Sequence, residues 1–409
     1  MTDRADPGVV DSPYAWFRLV VAMVLCTIGG VGMWSVVVAL PAVQMEFDVG
    51  RGAASLPYTL TLIGFATGGV MMGRLADRFG VARPIMGGSI ALGLGYIASG
   101  FSTNLWEFML AHGLLIGFLG SASTFGPLMA NTSLWFVRRR GVAISICACG
   151  NYLAGTIWPP VVQHFIDSVG WRWTHIGIGV FCMVTMLPLT LALRRPSPLF
   201  AAAAPRQFAV RAPGIDGMSP NMLMALLSLA GLACCVAMAM PQVHIVAYCG
   251  DLGYGAERGA EMLSLMLGFG VFSRLASGFV ADRIGGLRTL LLGSVLQTSA
   301  LVMYLWFDGL ASLYVVSALF GLFQGGIVPS YAIIIREYFP AREAAARFGM
   351  VLMATLLGMA LGGWMSGAIF DLTGSYRAAF ANGVAWNVLN AGIALMLLRR
   401  RRRWRVVLA

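Results

Sequence analysis

An arginine set within some twenty apolar residues is the feature of this sequence best able to do chemistry: Arg274 lies inside the run 262–281. Holding a guanidinium there costs ~2.5–3.5 kcal/mol on insertion scales, so such a residue ordinarily faces a cavity or a partner. It stands about seven residues from the nearer end of its run, roughly 10 Å by helical rise. We read Arg274 as the one charged residue seated well inside the runs, and no run holds an acid to pair with it. A fixed cation without an internal counter-ion points to an anionic ligand, gripped through bidentate, charge-assisted hydrogen bonds. The plainer alternative is an arginine that snorkels or pairs with a carbonyl. Metal and cofactor chemistry have no comparable signal, because the seven cysteines lie in or beside apolar runs without ligand spacing and read as packing residues. His244 could titrate near the external mouth, with Gln242 beside it, but His244 and His164 read more simply as packing residues.

The elements that must position Arg274 are apolar stretches at 17–40, 56–72, 85–101, 108–130, 141–166 and 174–193, then 222–248, 262–281, 290–307, 313–335, 348–370 and 379–398. Each is close to the ~20 residues that cross a bilayer, and the short third run is the weakest of them. The chain is 58% hydrophobic and 11% charged, against about 25% charged in an ordinary soluble domain, so lipid is its solvent. We therefore expect an all-α integral membrane protein of twelve transmembrane helices. All 28 basic residues are arginine and gather in alternate connections and at both ends, with Arg51, Arg172, Arg258 and Arg377 alone on the other side. The positive-inside bias then places both termini in the cytoplasm of a multi-pass protein of the plasma (inner) membrane. The basic excess is topology and an affinity for lipid head groups rather than a nucleic-acid surface. The first run follows Asp3, Asp6 and Asp11 and is too long for a signal-peptide core, so it reads as a retained helix.

The chain repeats itself. Gly73-Arg74-Leu75-Ala76-Asp77-Arg78-Phe79-Gly80 after the second run returns as Gly278-Phe279-Val280-Ala281-Asp282-Arg283-Ile284-Gly285 after the eighth, an offset of 205 residues. Gly117 and Gly321 are 204 apart, and Trp135-Phe136 and Tyr338-Phe339 are 203 apart. Echoes on one offset mark a duplication. The Pro- and Ala-rich stretch at mid-chain is a linker, giving an N-terminal six-helix bundle at 1–195, a cytoplasmic linker at 196–219, and a C-terminal bundle with a basic tail at 220–409. Gly73 would allow close helix approach, and Asp77 could face a helix N-terminus or an arginine.

This pattern resembles the major facilitator superfamily, whose loop after helix 2 reads Gly-x-Leu-Ala-Asp-Arg-x-Gly; Gly73 to Arg83 match it almost throughout. The resemblance implies two pseudo-symmetric bundles with a solute path, alternating access, and a gate formed by Gly73, Asp77, Arg78, Gly80, Asp282 and Arg283. It also implies that Trp34, Asn151, Tyr152, Gln324, Tyr331 and Thr355, near the midpoints of cleft-lining helices, help bind substrate, although such residues often simply join helices. A narrower likeness is carried by Phe269-Gly270-Val271-Phe272-Ser273-Arg274-Leu275-Ala276-Ser277-Gly278, which is similar to helix 8 of the monocarboxylate transporter family, where an arginine binds the substrate carboxylate. Trp135-Phe136-Val137-Arg138-Arg139-Arg140-Gly141 resembles that family's entry to helix 5 and adds Arg139 and Arg140 to the gate. Animal members carry Asp where this chain has Gly270, and the related oxalate:formate exchangers pair the arginine with a lysine, which this chain lacks.

The expectation is a secondary transporter of small organic anions, monocarboxylates above all, coupled to protons or exchanging a counter-anion, working as a monomer without a cofactor. Because no run holds an acid, the proton would travel with substrate or exchanged anion, while Glu46, Glu261 and Asp371 merely flank helices. An exporter of a drug-like compound is the alternative within transport. That reading would need acids in the cleft and a Gly-Pro pair in helix 5, where this chain has Trp158-Pro159-Pro160. A membrane enzyme would need a nucleophile, metal cluster or acid/base pair, and a sensor would need an output domain; the sequence signals neither.

Overall fold

The computed structural model describes residues 10–195 and 218–407. The mid-chain linker expected at 196–219 therefore lies almost wholly outside the described residues. In lipid a backbone must satisfy its own hydrogen bonds, which leaves apolar runs of this length one outcome, the helix. The first bundle has α1 (Pro13–Glu46), α2 (Leu56–Phe79), α3 (Ala82–Gly100), α4 (Leu105–Thr132), α5 (Arg140–Val169) and α6 (Trp171–Leu191). The second has α7 (Pro220–Asp251), α8 (Ala256–Ile284), α9 (Gly286–Trp306), α10 (Leu310–Tyr338), α11 (Ala341–Thr373) and α12 (Tyr376–Val407). Among the described residues eleven of these are long and apolar enough to cross a membrane, and α3, which carries the short third run of the sequence, is the remaining one.

Two compact units result: residues 10–49 with 56–195, and Gly50–Ser55 with the chain from 218 onward. Within the first, α3 packs on α6, α4 on α2 and α3, and α1 on α5. Within the second, α9 packs on α12, α10 on α8 and α9, and α7 on α11. Each pairing recurs six helices later, so the duplication read from motifs extends to the packing.

The repeat reaches single atoms. Both bundles open on Ser-Pro: Ser12 Oγ accepts from Ala15 N–H (3.3 Å) and Ser219 Oγ from Met222 N–H (3.2 Å), with proline in the first turn of each helix, where its missing donor costs nothing. A Cβ on Gly117 would lie 2.5 Å from the Thr61 carbonyl oxygen, and one on Gly321 would press closer still on that of Met266, so the α2·α4 and α8·α10 contacts both require glycine. Gly80 (φ +79°) and Gly285 (φ +84°) turn the chain from the second to the third helix of each unit through the left-handed region.

Candidate functional site

Arg274 falls on the covered side of α8. Leu263, Leu267, Gly270 and Ala281, spaced at one- and two-turn intervals, are buried, and Arg274 continues that row, itself half-buried. The neighbouring stripe of α8 meets α10 at a break: Cβ atoms on Gly325 and Gly326 would strike Gly270 O, Ser273 and Ser277. α10 stops being helical at those two glycines, and α4 is irregular at the matching place, passing from a π-helical stretch (Ala111–Gly120) to a 3₁₀ turn (Ser121–Thr124). Interrupted helices at membrane depth survive where side chains or a cavity re-satisfy the backbone. Here Ser121 Oγ donates to Gly29 O at 2.9 Å and Ser330 Oγ to Gly326 O at 2.7 Å.

Gln324 stands one residue before the α10 break. It is fully buried, its Oε1 accepts from Gln242 Nε2 at 3.0 Å, and its own Nε2 has no acceptor among the described residues. An unmatched buried donor is costly, and this one belongs to the residue just before the two glycines at which α10 meets α8. The other candidates of this unit are engaged elsewhere. Tyr331 donates to Asn390 Oδ1 (3.1 Å), part of a network in which Asn390 and Asn387 bond Ser294 and Thr298. Thr355 donates to Leu352 O (2.7 Å), and its methyl lies 3.1 Å from a Cβ placed on Gly231.

In the first unit the structure brings Trp34 and Asn151 together, with Trp34 Nε1 donating to the Asn151 carbonyl at 3.4 Å and Asn151 Oδ1 lying 3.4 Å from a Cβ placed on Gly30. Tyr152 is buried beside them on α5. At the repeated loop, Gly73 departs from expectation: a Cβ there would meet nothing within 4 Å, and Gly278 is the same. The glycine that the backbone demands is the motif's last. Asp77, Arg78, Asp282 and Arg283 are exposed, and neither acid forms an ion pair among the described residues. In the second copy the acid at a helix N-terminus is Glu337, whose Oε1 accepts from Gly286 N–H at 2.9 Å. Arg139 occupies the position before α5 without a side-chain bond to the helix end, while the Arg140 side chain lies outside the described residues.

Arg274 is not alone among buried charges. Arg18, just inside the first run, is 3% exposed. Its guanidinium lies 4.2 Å from the Trp135 ring centroid and donates to Asn131 Oδ1 and the carbonyls of Ala192, Leu193 and Arg195. Arg18 is thus consumed in tying the ends of α1, α4 and α6, and Trp135-Phe136 gains a structural meaning. Arg51, read from sequence only as a topology marker, engages both Asp251 oxygens and donates to Tyr376 Oη at 2.9 Å within the second unit. Asp371 accepts the N–H groups of Arg51 and Gly52 at 2.7 Å each, so it caps this short turn. His244 is fully buried, with Nε2 against Gly363 O (2.8 Å) and Nδ1 against Tyr376 Oη (3.1 Å). A carbonyl only accepts, so Nε2 carries the proton. His112 and His175 pack against each other, 5.7 Å between centroids, among Tyr96, Phe108 and Trp171; nothing in the local sequence pattern announces that cluster. Glu46 holds Trp171 and Arg172, and Glu261 holds Arg258 and Tyr314, so the flanking acids are tied into the scaffold.

The model of the Major Facilitator Superfamily matches residues 22–312 and 259–408. Monocarboxylate transporter 13 of Bos taurus is 28% identical over 79% of this chain and 75% of its own length. The agnestins efflux protein AgnL12 of Paecilomyces divaricatus is 26% identical over 80% of this chain and 73% of its own. In structure the chain is similar to a bacterial homologue of the human lysosomal transporter Spinster in an inward-facing, occupied conformation, with TM-score 0.73 and 15% identity over 95% of this chain and 97% of that one, a likeness of fold.

Proposed function

The chain belongs to the Major Facilitator Superfamily, a family of membrane transporters, and from that premise we propose that it carries a small organic anion bearing one carboxylate. The observation that carries this reading is Arg274, which continues the covered row of α8, the helix that meets the α10 break where Gln324 holds an unmatched amide donor. A guanidinium and an N–H donor match a carboxylate in charge and geometry, and one cation fits one carboxylate better than two. The printed name of the bovine relative points the same way. Trp34, Asn151 and Tyr152 contribute from the first unit, and Tyr331 and Thr355 shape the second. The bundles at 1–195 and 220–409 alternate as bodies joined by the linker, with Gly73 to Gly80, Arg139, Arg140, Asp282 and Arg283 at the gate. Arginine placement puts both termini in the cytoplasm. The carrier works as a monomer in the plasma (inner) membrane, and protons accompany the substrate or a counter-anion is exchanged.

Thermal-shift screening of the purified protein against monocarboxylates, dicarboxylates and organic cations, followed by uptake into proteoliposomes, tests the reading, since a ligand of the native state raises apparent stability. Stabilisation by monocarboxylates with unaltered solute recovered inside is the expected result. Stabilisation by cations alone would instead favour export of a drug-like compound, the second reading, which the agnestins efflux relative supports.

A further inference from the structure

Two cavities of the first unit share Phe79 and Arg83 in their walls. One, of about 780 Å³, opens at the arginine-rich end of the bundle and is lined by Arg78, Arg83, Arg194 and Arg195, with Asn131 and a single acid, Asp77. The other, of about 360 Å³, continues from Phe79 and Arg83 along the α2–α3 seam past Leu75, Pro84, Gly87 and Ala91 to Leu119. Ala91 is eight residues beyond Arg83, roughly 12 Å deeper by helical rise. The two differ in chemistry: four guanidiniums against one carboxylate in the first, apolar side chains and open backbone in the second. At Gly87 a Cβ would meet nothing within 4 Å, so the groove is open along its floor. Its surroundings, Val70, Phe79 and Ile90, are exposed apolar residues of a chain whose solvent there is lipid.

We propose that this pair of cavities is a binding site for one anionic phospholipid, its phosphate among Arg78, Arg83, Arg194 and Arg195 and one acyl chain in the α2–α3 groove. Arginine forks match phosphate oxygens, and basic pockets between transmembrane helices are where anionic head groups bind. A free anion would use the first cavity and leave the second without a purpose. The segments that follow in the chain do not compete by charge: residues 196–217 carry Arg206 and Arg211 against Asp216, and the C-terminal end of α12 holds the arginine run 399–403. The N-terminal stretch, with Asp3 and Asp6 against Arg4, is the one competitor with an excess of acidic side chains.

Native mass spectrometry of the full chain, offered phosphatidylglycerol, phosphatidylcholine with the same acyl chains, or inorganic phosphate alone, tests the site. Wild type should retain one phosphatidylglycerol in preference to phosphatidylcholine. Arg83→Gln and Arg194→Gln, both at exposed positions and so safe for folding, should each weaken retention about fivefold, and Arg83→Lys should keep most of it. Gly87→Leu, which fills the groove, should weaken phosphatidylglycerol while leaving inorganic phosphate unchanged. Equal retention of the two lipids overturns the proposal. So does a Gly87→Leu variant that binds phosphatidylglycerol normally, because the ligand is then a free anion. Retention that appears only after deletion of residues 1–9 assigns the cavity to the N-terminal acids and overturns it as well.

Discussion

The first and second bundles share a scaffold and differ in what they bury. Equivalent helices pair in the same way, the same glycines permit the same close contacts, and the same positive-φ glycines turn the loops. At the level of Arg274, however, the offset of 205 residues leads back to Gly69, where a Cβ would meet nothing within 4 Å. The second bundle also holds a buried amide and hydroxyl network around Asn387 and Asn390, whereas the first buries an aromatic and imidazole cluster around His112 and His175. Duplication preserved the contacts that decide whether helices pack and released the positions that decide what a bundle can hold.

The largest effect that would break this comparison is at Arg274. Arg274→Ala should insert normally, since it removes a charge costly to bury, and should lower uptake ~30-fold or more, the loss expected for a charged hydrogen-bonded contact. Arg274→Lys keeps the charge without the planar fork and should fall between. The exchange Gly69→Arg with Arg274→Gly moves the cation to the equivalent place in the other bundle. Uptake should stay absent at matched expression, because the Gln324 amide and the α10 break do not move with it. Recovery of uptake would make the halves interchangeable and remove the asymmetry.

Next come the glycines that hold the shared scaffold. Gly321→Ala and Gly117→Ala drive a methyl toward a carbonyl oxygen of the facing helix, Met266 in the second bundle and Thr61 in the first. Overpacking of this kind costs about 1–3 kcal/mol. Both variants should lower the unfolding midpoint in detergent, Gly321→Ala more, because its approach is the closer. Equal midpoints for either variant and wild type would mean that the bundles do not depend on the contact.

A smaller and symmetric effect belongs to the repeated loop. Gly80→Ala and Gly285→Ala place a side chain at φ +79° and +84°, a strain of roughly 1–2 kcal/mol, and the two should lower the midpoint alike. Gly73→Ala and Gly278→Ala, with open space around them, should change it little. A large loss at Gly73 measured by thermal unfolding would restore the close-approach reading of that glycine.

How much of this was legible in advance depended on the kind of signal. The number of helices, the duplication and the placement of Gly117 against Gly321 were visible because bilayer thickness and close packing constrain residue type directly. Arg274 stood out as a candidate because a charge in an apolar run is rare. Arg18 was overlooked for the converse reason: near the edge of its run it looks like an ordinary flanking arginine, and only the fold brings Trp135, Asn131 and the end of α6 around it. Arg51 resembled a loop charge until Asp251, Asp371 and Tyr376, some 200 to 325 residues away, closed on it. Contacts that distant leave no local pattern.

The smallest expected effect separates binding from scaffold within the second bundle. Tyr331 stands among the proposed substrate contacts, yet its hydroxyl is spent on Asn390, which in turn holds Ser294 of α9. Tyr331→Phe keeps the ring and removes the hydroxyl's bond to Asn390 along with its contact with the Cys234 thiol. Interhelical hydrogen bonds in a bilayer average ~0.6 kcal/mol, so the midpoint should fall by a degree or two at most, as should that of Asn390→Ala by somewhat more. If the network is scaffold, the ligand-induced thermal shift of Tyr331→Phe will match wild type, and Gln324→Leu, which removes the unmatched donor at the α10 break, will diminish that shift. The opposite outcome, a weakened shift with Tyr331→Phe and a normal one with Gln324→Leu, would place substrate against the Asn390 network and move the site away from the α10 break.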